Sequence, residues 1–422
     1  MMKKLADIDE KIRNELDMGV VSMKEAVIIA AKRTPIGRYG GTLSSIRPDD
    51  LAATTMRTVI KETGLDPELI DDVLLGCANQ AGEDNRNIAR MALLLAGLPK
   101  RIPGVTVNRL CGSGMEAILQ AARAIKAEEG DIFIAGGVES MSRAPWVIGK
   151  PETAFYRGTK EMYDSTLGWR FPNPEMEKMY SLSSLGDTAE NVAKRYHVTR
   201  EEQDSFALWS QKKWKEAEEK GNWKDEIIPV ELNDKRGNVT IIDTDEHPRS
   251  KATYEKLAAL KPAFQKEGTV TAGNSSGLND GAAILIVMSS VKAKELGFRP
   301  LAKIVSGAAE GVDPNYMGIG PIPASRKALS RAGWETGDIE IAEINEAFAS
   351  QAIASIRELN LEESIVNVNG GAIAIGHPLG CSGARIVTTL IHEMKRRKAQ
   401  KGLATMCIGM GQGIAACIEA VQ

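Results

Sequence analysis

The sequence predicts a layered α/β fold made of two similar halves with an inserted loop domain, and three observations predict it. Short apolar runs that suit buried strands alternate with stretches of helical period. The stretch Gly64–Gly76, G-L-D-P-E-L-I-D-D-V-L-L-G, runs parallel to Gly333–Asn345, G-W-E-T-G-D-I-E-I-A-E-I-N, each a helix exit followed by a strand. Between them, residues 146–266 have another texture and hold five of the six tryptophans.

In chain order, Ala52, Met56, Val59 and Ile60 space out a helix, and Val73 to Leu75 a strand. Ile88, Met91, Ala92 and Leu95 form the buried face of a second helix. T-V-N-R-L-C-G-S-G-M, Thr106 to Met115, ends a strand and sets Cys111 on the first turn of a third helix, whose face Met115, Ile118, Leu119, Ala122, Ile125 is apolar. Ile132 to Ala135 is a strand, and this alternation predicts largely parallel sheets buried on both faces. In the insertion, Thr199 to Glu202 is a capping box that opens a charged helix ending before Gly221. Leu403 to Ile408 is a strand in the second half. The expected division is an N-terminal extension 1–23, a first half 24–145 with 267–291, the insertion 146–266, and a second half 292–422. In the extension, Leu5, Ile8, Ile12 and Leu16 share a helical face, as a docking helix would, although Met23 is an alternative start.

Cys111 carries the chemical signal. Free backbone N–H groups and the positive end of a helix dipole stabilise a thiolate, so a cysteine there is expected to titrate below the ordinary value of about 8.5. A buried inert cysteine is the alternative, and the segment alone does not decide. The last fifth of the chain supplies what a nucleophile needs. N-G-G-A-I-A-I-G-H-P-L-G-C-S-G-A-R runs from Asn369 to Arg385, with His377 held extended by Pro378 ahead of the next helix. C-I-G-M-G-Q-G begins at Cys407, where a strand enters glycines whose N–H groups can face an oxyanion. E-I-N-E-A-F-A puts Asn345 at a strand-to-helix junction, where alone it reads as an ordinary N-cap.

These four pieces, in this order, resemble the thiolase family from about Lys24 to Gln422. The resemblance implies that Cys111 is the acyl-accepting nucleophile, that His377 is its base, and that Cys407 is the second, proton-handling cysteine. It implies that a 3-oxoacyl-CoA is cleaved to acetyl-CoA and a shortened acyl-CoA, or formed in the reverse Claisen condensation. The thioester oxygen would be held near His377 with an Asn345-bound water, and by the N–H groups of Cys111 and Gly409. G-T-V-T-A-G-N-S-S-G-L-N-D-G-A, Gly268 to Ala282, resembles the family's coenzyme A loop with Ser276 at its serine. The insertion would cover coenzyme A, with Arg249 near the nucleotide phosphates, and Leu185, Ala347 and Phe348 complete the implied contacts. Coenzyme A and acyl-CoA are then substrates, with no permanently bound cofactor and no metal, in a homodimer or homotetramer.

Finer features resemble bacterial 3-oxoadipyl-CoA thiolases: G-E-D-N-R-N at Gly82, G-W-R-F-P-N-P at Gly168 and T-D-E-H-P-R at Thr244. A dicarboxylic acyl chain needs a cation, and Arg86 or Arg170 is the candidate. Ser184-Leu185 stands where short-chain acetoacetyl-CoA thiolases usually carry His-Met, and H-P-L-G-C-S-G, with Cys381, is closer to fatty-acid degradative thiolases. An acetyl-CoA acetyltransferase is the alternative activity. A condensing synthase would not need Cys407, and a non-catalytic CoA-binding subunit would have lost a reacting residue, whereas all are present.

Composition sets limits. A net charge of −3 argues against nucleic acid as a partner. The run Lys395, Arg396, Arg397, Lys398 suits the negative end of a helix rather than a nucleic-acid patch. Five cysteines and four histidines show no disulfide framework and no metal-ligand spacing. The amino terminus lacks an apolar signal core, no stretch approaches 18 apolar residues, and the chain does not end in S-K-L. A cytoplasmic protein that does not enter the membrane is expected.

Overall fold

A computed structural model describes residues 24–233 and 236–421; the amphipathic spacing of the extension lies outside them. Ten strands form one sheet: β1 Ala26–Arg33, β2 Gly37–Arg38, β3 Asp72–Gly76, β4 Gly104–Val107, β5 Ile132–Ser140, β6 Asn279–Ser289, β7 Ala302–Gly311, β8 Ile341–Ile344, β9 Lys401–Ile408 and β10 Gln412–Ala420. Their order is β8-β9-β10-β7-β1-β6-β5-β3-β4, with β2 on β6. The halves are joined where β1 meets β7, Val27 opposite Lys303 and Ile28 opposite Ala302.

The order contains its own repeat. In the first half β3 lies beside β5, β5 beside β6 and β6 beside β1; in the second β8 lies beside β9, β9 beside β10 and β10 beside β7. The stretches matched in sequence occupy equivalent places. Helix α1, Pro48–Thr63, ends at Gly64 with φ 68°, and the helix Pro321–Ala332 ends at Gly333 with φ 69°. Both are left-handed caps that favour glycine. A 3-10 turn follows each, Pro67–Leu69 and Thr336–Asp338, then β3 and β8.

The expectation of largely parallel sheets is corrected. Only β3 with β4, β3 with β5 and β8 with β9 run parallel; the other pairs are antiparallel. Each half has parallel crossovers around its helix-bearing loops and closes with antiparallel strands, β6 and β10. β7 alternates buried and half-buried residues, whereas burial on both faces holds for strands such as β6, every residue of which is buried. Such a strand has no alternation from which its direction could be read. The second helix, α2, Ile88–Leu95, is also corrected in its face. It buries Ile88, Ala89, Ala92 and Leu93, whereas Leu95 is 43% exposed.

Two helices occupy the middle of the molecule, α3, Ser113–Lys126, and a long C-terminal helix, Leu379–Arg397. Met115, Ile118, Leu119, Ala122 and Ile125 are all buried, in one core cluster with Ile386, Val387 and Leu390 and with strands of both halves. The helices cross on glycines: a Cβ on Gly114 would come within 2.7 Å of the Gly380 carbonyl, and one on Gly383 within 2.5 Å of the Met115 nitrogen. This close approach sets the start of one helix beside the start of the other. The basic run Lys395 to Arg397 forms the last turn, capped by Lys398 at φ 57°, and Arg396 and Arg397 both pair with Glu393.

Within 146–266 the capping box is present in full, Thr199 and Glu202 opening the helix Arg200–Glu219. A shorter helix, Leu185–Arg195, precedes it, and two two-stranded ribbons, Trp146–Ile148 with Met162–Asp164 and Val230–Asn233 with Val239–Ile242, lie outside the main sheet. Among the described residues no helix is long and apolar enough to cross a membrane.

Candidate active site

Cys111 sits two residues before the first helical residue, Ser113, with Gly112 as the N-cap, rather than on the first turn. Its loop is turned by its own polar side chains. Asn108 Oδ1 accepts the Leu110 N–H at 2.9 Å, Ser113 Oγ accepts the Arg109 N–H at 2.9 Å, and the Ser113 hydroxyl donates to the Leu110 carbonyl at 2.6 Å. Leu110 is thereby held at φ 47°, an uncommon conformation for a bulky residue and one that the surrounding bonds must maintain.

From the other half, the turn Gly409-Met410-Gly411 joins β9 to β10, with Met410 at φ 65° and Gly411 at φ 79°. The backbone N–H groups of Gly409 and of Cys111 itself lie near enough to the Cys111 sulfur to favour its thiolate. Cys407, in β9 just before this turn, is 1% exposed and close enough to Cys111 that a charge on one sulfur disfavours a charge on the other. Both thiols therefore lie at one point, reached from opposite halves.

His377 and Asn345 complete the group. The Asn345 amide Nδ2–H donates to His377 Nε2 at 3.5 Å, while Asn345 Oδ1 is buried with no hydrogen-bond partner among the described residues. On the far side of the ring, His377 Nδ1 stands 2.6 Å from Ser382 Oγ, whose hydroxyl also donates to the Pro378 carbonyl at 2.8 Å. A hydroxyl has one proton to give. Once that proton is on Pro378, Ser382 accepts from Nδ1–H, and Nε2 keeps its lone pair toward Asn345. The histidine backbone N–H is held by Asn279 Oδ1 at 2.9 Å, and a Cβ on Gly376, at φ 113°, would strike that same Asn279 side chain. Asn345 is not an N-cap: the helix after it begins at Ala349, four residues on.

The electrostatics correct one expectation. Burial pushes the Cys111 thiol up to about 11, against the two N–H donors that pull it down, and buried Glu139 adds to the rise. Desolvation outweighs the loop's dipoles here, and among the described residues no cation contributes to the shift. Cys407 is raised further by burial and by Cys111. Burial lowers His377 to about 3, helped by the Arg385 charge. At rest the site is a neutral thiol beside a neutral imidazole, not an ion pair.

Several expected coenzyme A contacts converge beside this center. Leu185 packs with Cys407, Ala347 and Phe348, and the Ser276 N–H donates to the Ala347 carbonyl at 3.0 Å. Arg249 is farther out and exposed; its backbone N–H donates to Gln211 Oε1 at 2.7 Å, and its charge lowers the pKa of His247. His247 lies against Gly277 in the Ser276 loop, and Arg38 donates to its carbonyl at 3.5 Å. Of the two candidate cations for an acidic acyl chain, Arg170 is half-buried and donates to the Ser165 carbonyl at 3.0 Å. Arg86 is exposed at φ 65°, with no hydrogen bond to Cys111, Asn345, His377 or Cys407.

Sequence reasoning missed Ser382, Asn279, Glu139 and His247. Ser382, Asn279 and His247 stand inside quoted motifs and Glu139 lies outside them, and the partners of Ser382, Asn279 and Glu139 are 5 to 241 residues away. Only His247 offered a signal, as an extra histidine in T-D-E-H-P-R.

Comparison with known proteins agrees with this geometry. Residues 26–291 match the thiolase N-terminal domain family and residues 298–420 the thiolase C-terminal domain family. The chain is 56% identical over 402 residues to a 3-oxoadipyl-CoA/3-oxo-5,6-dehydrosuberyl-CoA thiolase of Escherichia coli, covering 94% of this chain and 100% of that one. It is 48% identical to an acetyl-CoA acetyltransferase of Cupriavidus necator, with 94% and 100% covered. The crystal structure of the Bacillus anthracis acetyl-CoA acetyltransferase superimposes with a TM-score of 0.89 at 44% identity, covering 94% of this chain and 99% of that one. Human mitochondrial 3-ketoacyl-CoA thiolase does so at 0.88 and 40%, covering 94% and 100%. With two sulfurs, an imidazole and an amide drawn together from both halves, and both family domains matched along its length, this chain belongs to the thiolase family of acyltransferases.

Proposed function

We propose that the protein cleaves 3-oxoadipyl-CoA, or a closely similar 3-oxo dicarboxylic acyl-CoA, with coenzyme A, and that Cys111 is the nucleophile. The observation that carries this reading is that Cys407 and the turn that follows it, with the Gly409 N–H, close on the Cys111 sulfur from the opposite half. An N–H group that faces the sulfur at rest is placed to bind an oxyanion on the carbon that the sulfur attacks. His377 Nε2 takes the thiol proton as Cys111 attacks the 3-keto carbon. Cleavage of the C2–C3 bond leaves acetyl-CoA as its enolate, which Cys407 protonates. Coenzyme A, giving its thiol proton to the Cys407 thiolate, then attacks the acyl-Cys111 thioester; Cys111 leaves and takes back its proton from His377, and the shortened acyl-CoA departs. Asn345 Oδ1 accepts from a water that donates onward to the thioester oxygen of the enolate, on the opposite side from the N–H pair of Cys111 and Gly409.

Ser276, Leu185, Ala347 and Phe348 line the coenzyme A path, and Arg249 with Arg38 faces its phosphates. We assign the free carboxylate of the substrate to Arg170. Its guanidinium is half-buried, and a single neutral carbonyl is its hydrogen-bond partner. The names of relatives at 50–56% identity support the dicarboxylic substrate. Steady-state rates on 3-oxoadipyl-CoA, acetoacetyl-CoA and a 3-oxo medium-chain thioester test it. Preference for 3-oxoadipyl-CoA is expected, reduced at least tenfold in Arg170→Met with acetoacetyl-CoA rates unchanged; preference for acetoacetyl-CoA rejects the assignment. The same reading places the enzyme in the cytoplasm as a homodimer or homotetramer.

A further inference from the structure

Four backbone N–H groups in the segment that carries His377 are held by side chains from four other parts of the chain. Gly371 N–H donates to Ser210 Oγ at 3.0 Å, and Ile373 N–H to Glu346 Oε2 at 3.1 Å. His377 N–H donates to Asn279 Oδ1 at 2.9 Å, and Gly380 N–H to Glu139 Oε2 at 2.8 Å. Two of the four acceptors are carboxylates, 0% and 2% exposed, one from each half of the molecule.

Among the described residues neither carboxylate has an ion-pair partner within 4.0 Å, although the Lys213 charge acts on Glu346 from farther off, and the hydrogen-bond donors of both are neutral. Glu346 also accepts the Ser210 hydroxyl at 2.7 Å and Asn367 Nδ2 at 2.8 Å, and Asn367 in turn bonds both backbone groups of Ile344 at 2.8 Å. A Cβ on Gly371 would fall 2.3 Å from its carboxyl carbon. Glu346 thus ties the strand end that presents Asn345 to the loop that presents His377. Glu139 accepts from Ala78 N–H at 2.8 Å and Asn79 N–H at 3.1 Å as well as Gly380, tying the exit of β3 to the start of the C-terminal helix. Burying a carboxylate against neutral donors is costly, and an acceptor-only group with four lone-pair sites is what can collect N–H groups from two segments at once. Both costs fall on the two sides of one residue, His377.

We propose that Glu346 and Glu139 are positioning residues that bracket His377, four residues before it and three after, and hold its Nε2 in register with Asn345 and Cys111. They act through His377, so the proposal rests on His377 being the base. The test is single-turnover acetylation of Cys111 by acetyl-CoA, read by intact mass, in Glu346→Gln and Glu139→Gln, each with and without His377→Asn. Each glutamine is expected to slow acetylation 10- to 100-fold where His377 is present, with the KM for acetyl-CoA within twofold, and less than twofold further in the His377→Asn background. Equal slowing in both backgrounds, or none in the first, overturns the proposal. Ser210→Ala, which removes one hydroxyl between Glu346 and Gly371, reads the same coupling with a smaller loss if a glutamine variant does not fold; equal loss in both backgrounds again overturns it. A His377→Asn protein that acetylates at the full rate would instead overturn the assignment of the base.

Discussion

The amide Nδ2 of Asn345 and the imidazole Nε2 of His377 stand 3.5 Å apart across 32 residues of chain. Both belong to the second half, while Cys111, the nucleophile we propose, comes from the first. The contact gives the ring a face: Nε2 toward the chemistry, Nδ1 toward Ser382.

The two thiols are predicted to separate by step. Cys111→Ala abolishes all acyl transfer, while Cys407→Ala still takes acetyl from acetyl-CoA onto Cys111 but makes no carbon–carbon bond, because only the second step moves the α proton. Intact mass and a condensation assay read the two outcomes, and coenzyme A binding by calorimetry stays intact in both. A Cys407→Ala protein that condenses acetyl-CoA at the normal rate contradicts the division of labor.

The resting thiol is predicted to behave as a thiol. With Cys111 at about 11 and His377 at about 3, no thiolate–imidazolium pair forms in the free enzyme near neutrality. Alkylation of Cys111 by iodoacetamide should therefore climb with pH through 8 and 9 toward about 11. A plateau already reached at pH 7 would mean that an ion pair exists at rest.

Ser382→Ala removes the acceptor that fixes the tautomer. The lost bond leaves Nδ1–H buried without a partner, a cost of about 1–3 kcal/mol that favors the wrong tautomer or a turned ring. Acetylation should slow by about tenfold or more, and Ser382→Thr should restore most of it. Full activity in the alanine variant would show that Asn345 alone orients the ring.

Acid stability follows from three buried histidines. Burial lowers His377 to about 3 and His247 to about 4, and it lowers His392 as well. Below about pH 6.5 the unfolded chain takes up protons that the folded chain refuses. Their stabilizing effect is thus full above pH 6.5 and is lost as the pH falls toward 4 and 3, by up to about 1.4 kcal/mol per pH unit for each histidine. Glu343, raised by burial to about 8, works the other way: it favors the folded state at low pH and loses that contribution as the pH rises from 4.5 to 8. Denaturant unfolding between pH 6.5 and 4 should show His377→Asn less steep than the parent by about one proton; identical slopes would mean that His377 is protonated in the folded protein.

From the sequence alone one can read the repeat of helix exit and strand, the capping box at Thr199 and the candidacy of Cys111, Asn345, His377 and Cys407, because each depends on residues within one turn or one motif. What only the tertiary structure decided depends on distance. Strand direction in a sheet buried on both faces leaves no periodic trace, so the antiparallel closure by β6 and β10 was not legible. The sign of the Cys111 shift was misjudged because a local sequence displays the helix dipole but not the burial that opposes it. The groups around His377 range from Ser382, five residues on, and Glu346 in its own half to Asn279 and Glu139 in the other half, and only the folded chain brings them to one segment. Local chemistry is encoded in neighbors along the chain, whereas desolvation and orientation are properties of what packs around them.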